Sequence, residues 1–150
     1  DDVESRGLGD VYKRQVCSKG FAETVTGMKF DYNNPSTLVA IYNKLQDKYP
    51  NSNLVITLEE KGCLYQVGNE IKIMPGLKVD AVDTTGAGDI FHGAFTYGIA
   101  NNFDMEKTIT LANIAAGLSV TKIGSRLSIP NLSEVLDYYA KKMGQVNDNQ

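Results

Sequence analysis

"VDTTGAGDIFHGAF", residues 82–95, sets Gly-Ala-Gly directly before an acidic residue and then runs into an apolar segment. Gly86 and Gly88 lack a Cβ, so the main chain there can bend sharply and let a ligand approach closely. The spacing predicts a helix opening at this turn and running to about Ala100. The first amides of a helix have no acceptor inside it, so those of Ala87, Gly88 and Asp89 are expected to point at an anion. A carboxylate at the rim, Asp89, would repel a resting anion and therefore needs a reason. Phosphoryl transfer supplies one: oriented amides stabilise the transferred group, and the carboxylate accepts the proton of an attacking hydroxyl. By itself Gly-x-Gly-Asp fits a plain helix cap equally well.

Other glycine-rich phosphate motifs are excluded. No Gly-Lys dipeptide occurs anywhere in the chain, so there is no Walker A loop. The spacing Gly86-x-Gly88-x-x-x-x-Gly93 differs from the dinucleotide GxGxxG. A single histidine rules out multi-histidine zinc sites. Cys17 and Cys63 form no CxxC pair and read as reduced thiols. At 150 residues, 42% hydrophobic and 22% charged, the chain suits one globular domain. Its net charge of −3, with no long Lys/Arg run, argues against nucleic-acid or membrane-surface partners. No apolar run nears the roughly 18 residues of a membrane span, and no leader is visible, so the expected location is cytoplasmic.

Outward from residue 82, "CLYQV", Gly68-Asn69 and "EIKIM" predict a hairpin, because Gly-Asn supplies the positive φ of a two-residue turn. "NLVITL" (53–58) predicts a short buried strand. Residues 36–48 place Leu38, Ile41, Tyr42 and Leu45 on one helical face, stopped by Pro50. "SKGFAETVTG" predicts a short helix with Ser18 as N-cap and Gly27 as terminator. On the other side, a helix is expected from Asp104 to Gly124. Its small residues Ala112, Ala115, Ala116 and Gly117 would admit a close neighbour or a flat ligand. A last helix, after Pro130 and capped by Ser133, is expected to carry Val135, Leu136 and Tyr139 inward. Helices mixed with a buried strand give an α/β layered architecture.

The first fifteen residues fit this pattern poorly. "SRGLGDVYKRQ" (5–15) has no helical or strand period, and it resembles a translated DNA-library adapter. The expectation is a non-native tail over 1–15 and native sequence from Val16, already inside a folded element. Residues 16–150 are thus expected to be the C-terminal part of a larger domain.

The 82–95 stretch resembles the C-terminal signature of the ribokinase-like, or PfkB, carbohydrate kinases. The resemblance extends over nearly all of 16–140, through "VITLEEKG" before the signature and "LANIAAGLSVTKIGS" after it. It implies the C-terminal part of a ribokinase-like layered α/β fold with the N-terminal half missing. It further implies an ATP-dependent sugar kinase, with Asp89 as catalytic base and Gly86, Ala87 and Gly88 as the anion hole. Thr57 and Glu59 match positions near the ATP phosphates, and Asn113 matches one beside the adenosine. Asp83, Thr85, Ser119, Gly124 and Ser128 fall where many members bind potassium (K+), although turn and helix-end structure accounts for them equally. The implied ligands are ATP, magnesium (Mg2+), K+ and a small sugar, and the implied parent is a homodimer.

Two departures stand out. Glu59 sits where the family often has the glycine of Thr-x-Gly, so it must point outward or alter nucleotide contacts. The Asn-x-x-Glu stretch that organises Mg2+ in many members is here Ser18-Lys19-Gly20-Phe21. "SKGFAE" looks like the fructokinase and ketohexokinase side of the family. A nucleoside kinase of the same fold and a non-catalytic nucleotide-binding relative are the other expectations. His92, one turn after Asp89, fits a helix surface better than a site.

Overall fold

The computed structural model describes residues 13–84, 86–121 and 131–148, with the side chain of Lys13 and those beyond Gly144 left out. The chain divides into two compact units, one ending at Met74 and one starting at Pro75.

The first unit is built on a four-stranded sheet in the order β1-β2-β3-β4. Strand β1 (Lys13–Ser18) leads into helix α1 (Lys19–Thr26) and helix α2 (Pro35–Lys48), and β2 (Ser52–Thr57) returns parallel to β1. Strands β3 (Cys63–Val67) and β4 (Glu70–Met74) then add antiparallel pairs. The expected hairpin turn holds, with Gly68 at φ 60° and Val67 paired to Glu70. Ser18 caps α1 by accepting from the Phe21 amide at 3.1 Å. Gly27 ends that helix at φ 70°, donating to the Glu23 carbonyl.

The predicted face of α2 is the one that is buried. Leu38, Ile41, Tyr42 and Leu45 pack with Cys17, Ala22, Leu54, Ile56, Leu58 and Leu64 in one core. Tyr42 brings its hydroxyl into that core and donates it to the Leu54 carbonyl at 2.8 Å. Burial pushes this hydroxyl up to about 12, so it stays a donor at neutral pH. Leu54, Val55 and Ile56 are buried in succession, as the unbroken apolar run of β2 requires.

Strand β1 begins three residues before Val16, with Lys13, Arg14 and Gln15 opposite Ser52, Asn53 and Leu54. Three residues of the segment expected to be foreign therefore sit in the ladder. Ladder bonds run through the main chain and ask little of the side chains, although Gln15 does accept from the Ser52 hydroxyl at 3.1 Å.

The second unit contains, among the described residues, helices α3 (Ala87–Ala100), α4 (Met105–Ser119) and α5 (Leu132–Asp148). Asp104 caps α4 through the Lys107 amide at 2.8 Å, as its sequence position predicts. The span from Thr108 to Ala115 is buried throughout, so α4 is a core helix with no solvent-exposed face there. Its small residues admit a neighbour closely: a Cβ on Gly117 would meet the Leu77 side chain at 2.6 Å. Helices α3 and α4 approach in the same way, since a Cβ on Gly98 would meet Thr108 Oγ1 and Cγ2 at 2.7 Å.

Two boundaries and one buried face differ from the expectation. Helix α4 ends at Ser119, and Gly124 lies outside the described residues. Asn131 rather than Ser133 caps α5, accepting from the Glu134 amide at 2.8 Å. Either residue is a good cap by type, and the choice falls to whichever precedes the first helical turn. Val135 is buried, but Leu136 is exposed because one helical step carries it off the packed stripe. No helix among the described residues is long and apolar enough to cross a membrane.

Candidate active site

The site is assembled where the chain enters α3. Gly86 adopts φ 80° and ψ 0°, a left-handed conformation that turns the chain into the helix. Gly86 then accepts from the Ile90 amide at 3.0 Å, closing the first turn. The Ala87 amide donates to the Thr84 carbonyl at 3.2 Å, so an anion would compete with a long turn bond there. Gly88 and Asp89 follow in the first turn, where helical amides lack intrahelical acceptors. Asp89 is exposed at this positive end of the helix.

From Asp89 a groove of about 420 Å³ runs along α3, walled by Ile90, Tyr97, Leu111, Leu132 and Val135. Asp89 is the one charged residue among those that line it. An exposed carboxylate that lines an apolar groove in the first turn of a helix can accept a proton from a hydroxyl brought to it. The next turn contributes less: His92 is exposed, and its carbonyl accepts from the Thr96 hydroxyl.

The proposed potassium residues are described only in part. The amides of Val82 and Asp83 both donate to the Val120 carbonyl, at 2.7 and 3.1 Å. These bonds hold the Asp83 segment against the end of α4, where Ser119 is buried and donates to the Ala116 carbonyl at 2.7 Å. Thr85, Gly124 and Ser128 lie outside the described residues. Among the described residues no three His, Cys, Asp or Glu side chains gather as metal ligands. Asn113 is buried and donates its amide to the Pro75 carbonyl at 2.9 Å, which fastens the start of the second unit onto α4.

Thr57 and Glu59 belong to the first unit. Thr57 ends β2 and donates to the Cys17 carbonyl at 3.3 Å. Glu59 opens a short 3-10 turn (Glu59–Lys61) with φ 58°, a left-handed backbone that glycine adopts without strain and glutamate does not. Its side chain is 72% exposed and reaches Lys19 Nζ at 3.9 Å. It points outward, one of the two options the sequence leaves open.

The Mg2+ stretch departs in structure as it does in sequence. The Ser18 hydroxyl is engaged by the Phe21 amide, and Phe21 is an exposed ring with no ligand atom. These residues do not fit a protein-held magnesium ion. Sequence reasoning missed a neighbouring cluster: Lys19 Nζ and Lys61 Nζ lie 5.8 and 5.2 Å from the centroid of the Tyr32 ring. The three are far apart along the chain, so no local spacing signals them.

A family model described as pfkB family carbohydrate kinase matches residues 22–132. The chain belongs to this family. Among curated pfkB relatives, a ribokinase of Lactococcus lactis is 42% identical over 88 residues, covering 59% of this chain and 29% of the relative. A deoxyribokinase of Salmonella typhimurium is 35% identical over 117 residues, covering 77% of this chain and 37% of the relative. A solved ribokinase of Cryptococcus neoformans in complex with ADP aligns with a TM-score of 0.74 at 25% identity, covering 84% of this chain and 44% of that one. The chain thus spans less than half the length of these pfkB proteins, and the fold it shares with them is ribokinase-like mixed α/β.

Proposed function

We propose that residues 16–150 are the C-terminal part of an ATP-dependent sugar kinase and that residues 1–15 are a non-native tail. A sugar hydroxyl attacks the γ-phosphorus of ATP, the bond to the β,γ-bridging oxygen breaks, ADP leaves, and the hydroxyl proton passes to Asp89. The observation that carries this reading is the exposed Asp89 carboxylate in the first turn of α3, beyond left-handed Gly86. A group that only held phosphate would gain nothing from that carboxylate. Gly86, Ala87 and Gly88 supply the anion hole. Thr57, Glu59 and Asn113 are the nucleotide-side residues, the last by fixing the Pro75 segment.

Mg2+ enters as a companion of the ATP phosphates, since Ser18 and Phe21 offer it no ligands. K+ is assigned to Asp83, Thr85, Ser119, Gly124 and Ser128. The relatives favour a pentose as acceptor, and "SKGFAE" favours a ketose. A homodimeric, cytoplasmic parent completes the proposal. The sugar's other hydroxyls are held mainly outside these residues, so the 150-residue chain alone is expected to be inactive.

In a full-length parent, Asp89→Asn keeps the size and capping ability of the residue but cannot take a proton. Turnover should fall about 10²- to 10⁴-fold while ATP affinity is retained. Near-normal kcat would reduce Asp89 to a helix cap. A nucleoside kinase would show itself by turnover with nucleosides and none with pentoses or ketoses. ATP binding without transfer to any acceptor would favour a non-catalytic relative.

A further inference from the structure

Lys19, Lys61, Tyr32 and Glu59 stand together at the carboxyl end of two parallel neighbours, β1 and β2. Lys19 is the first residue past β1, and Glu59 is the second past β2. Ligands of α/β sheets bind beyond the carboxyl ends of such strands. Both lysine ammonium groups lie against the Tyr32 ring, at 5.8 and 5.2 Å from its centroid. The ring holds two long, otherwise mobile cations in one place, which is the ordering a polyanion site requires. Burial, ahead of the neighbouring charges, raises the Tyr32 hydroxyl from its ordinary value, so the ring stays neutral beside the lysines at neutral pH.

The carboxylate facing this pair belongs to Glu59. It sits on a left-handed backbone, at 3.9 Å from Lys19 Nζ, with most of its side chain in solvent. An exposed pair of that length is weak and readily exchanged. Glu60 and Glu23 add further negative charge around Tyr32.

From this juxtaposition we propose that Lys19 and Lys61 form a polyphosphate clamp. Glu59 is its built-in competitor: its carboxylate neutralises Lys19 until the phosphate chain of a nucleotide displaces it. The proposal deepens the kinase reading and rests on it for the identity of the anion. Lys19 lies between Ser18 and Phe21, the positions that match the metal-organising pair, and brings a positive charge to the replaced stretch. Glu59 would then set nucleotide affinity by competing for charge rather than by touching the nucleotide.

The test is calorimetric titration of the 150-residue chain with inorganic tripolyphosphate and with ATP. Glu59→Gln should tighten both about two- to fivefold by removing the competing charge. Lys19→Met and Lys61→Met should each weaken binding by at least a similar factor, while Lys19→Arg retains it. Lys44→Met, an exposed lysine on α2, should have no effect. The deciding comparison is Glu59→Gln in a Lys19→Met background, where the gain should vanish. An equal gain in that background would mean that Glu59 repels anions generally, and would overturn the clamp. So would an absence of tripolyphosphate binding, or equal effects of Lys44→Met and Lys19→Met. Failure here is separable from failure of the kinase reading, because Asp89→Asn is judged by turnover in the parent and this test by affinity.

Discussion

Replacing Glu59 by glycine should stabilise the first unit, and the size of the effect follows from the turn after β2. At φ 58° a residue with a Cβ costs about 1–2 kcal/mol relative to a right-handed or extended backbone. Glycine removes that cost but returns about 0.4–1 kcal/mol through the greater freedom of the unfolded chain. The ion pair lost with the carboxylate is 3.9 Å long and 72% exposed on the Glu59 side, so screening leaves it a few tenths of a kcal/mol at most. The net expectation is a gain of about 0.5–1 kcal/mol. Glu59→Ala is the control, because it removes the same charge and keeps the strained backbone; it should be neutral or slightly destabilising. Gly27→Ala runs the comparison in reverse, at φ 70° with nothing within 4 Å of the added Cβ. It should lose a similar amount through backbone strain alone. With no tryptophan and eight tyrosines in the chain, urea unfolding can be followed by tyrosine emission, and buried Tyr42 and Tyr65 report on the first unit. For a typical urea dependence the glycine variant should raise the midpoint by about 0.3–0.7 M. Equal midpoints for Glu59→Gly and Glu59→Ala would refute the strain assignment.

The remaining expectations can be tested on the same chain. Gly98→Ala should cost about 1–3 kcal/mol, read as a lowered urea midpoint, because its Cβ would overlap Thr108 at 2.7 Å between α3 and α4. Burial pushes the Cys63 thiol from 9.0 up to about 12, so the folded state keeps its proton while the unfolded chain releases it. Stability should therefore be level below about pH 9 and fall as pH rises from there toward 12, with slow thiol alkylation under native conditions. Removing residues 1–15 deletes half of β1's paired positions and should cost about 1–2 kcal/mol of ladder hydrogen bonding, measured by urea unfolding. Removing residues 1–12 should change stability by less than about 0.5 kcal/mol.

The elements were readable wherever one local rule acted alone. Ser18 and Gly27 bracket α1, Gly68-Asn69 makes the hairpin, Asp104 opens α4, and the α2 stripe is the buried face. Each depends on residues within one or two turns of each other, so chain order encodes it. The signature at 82–95 likewise placed the start of α3 and the carboxylate of Asp89, because backbone freedom at Gly86 and the helix entry are local properties. What failed was selection between equivalent neighbours. Asn131 and Ser133 are both good caps, and Leu136 and Val135 are both apolar; where the first turn of α5 begins and which side of the helix is packed choose between them.

The sequence by itself determined the α/β class, the glycine turn that opens α3 and the position of Asp89 in its first turn, all consequences of short-range sterics and hydrogen bonding. The tertiary structure decided that β1 reaches back to Lys13, that Asn113 is engaged by the Pro75 carbonyl, and that Glu59 stands outward on a left-handed turn. It also brought Lys19 and Lys61 onto one tyrosine ring from separate segments. Those outcomes depend on which strands lie side by side and which turns share an edge. Such contacts are fixed by packing and by pairing between distant segments, and they leave no periodicity in the local sequence.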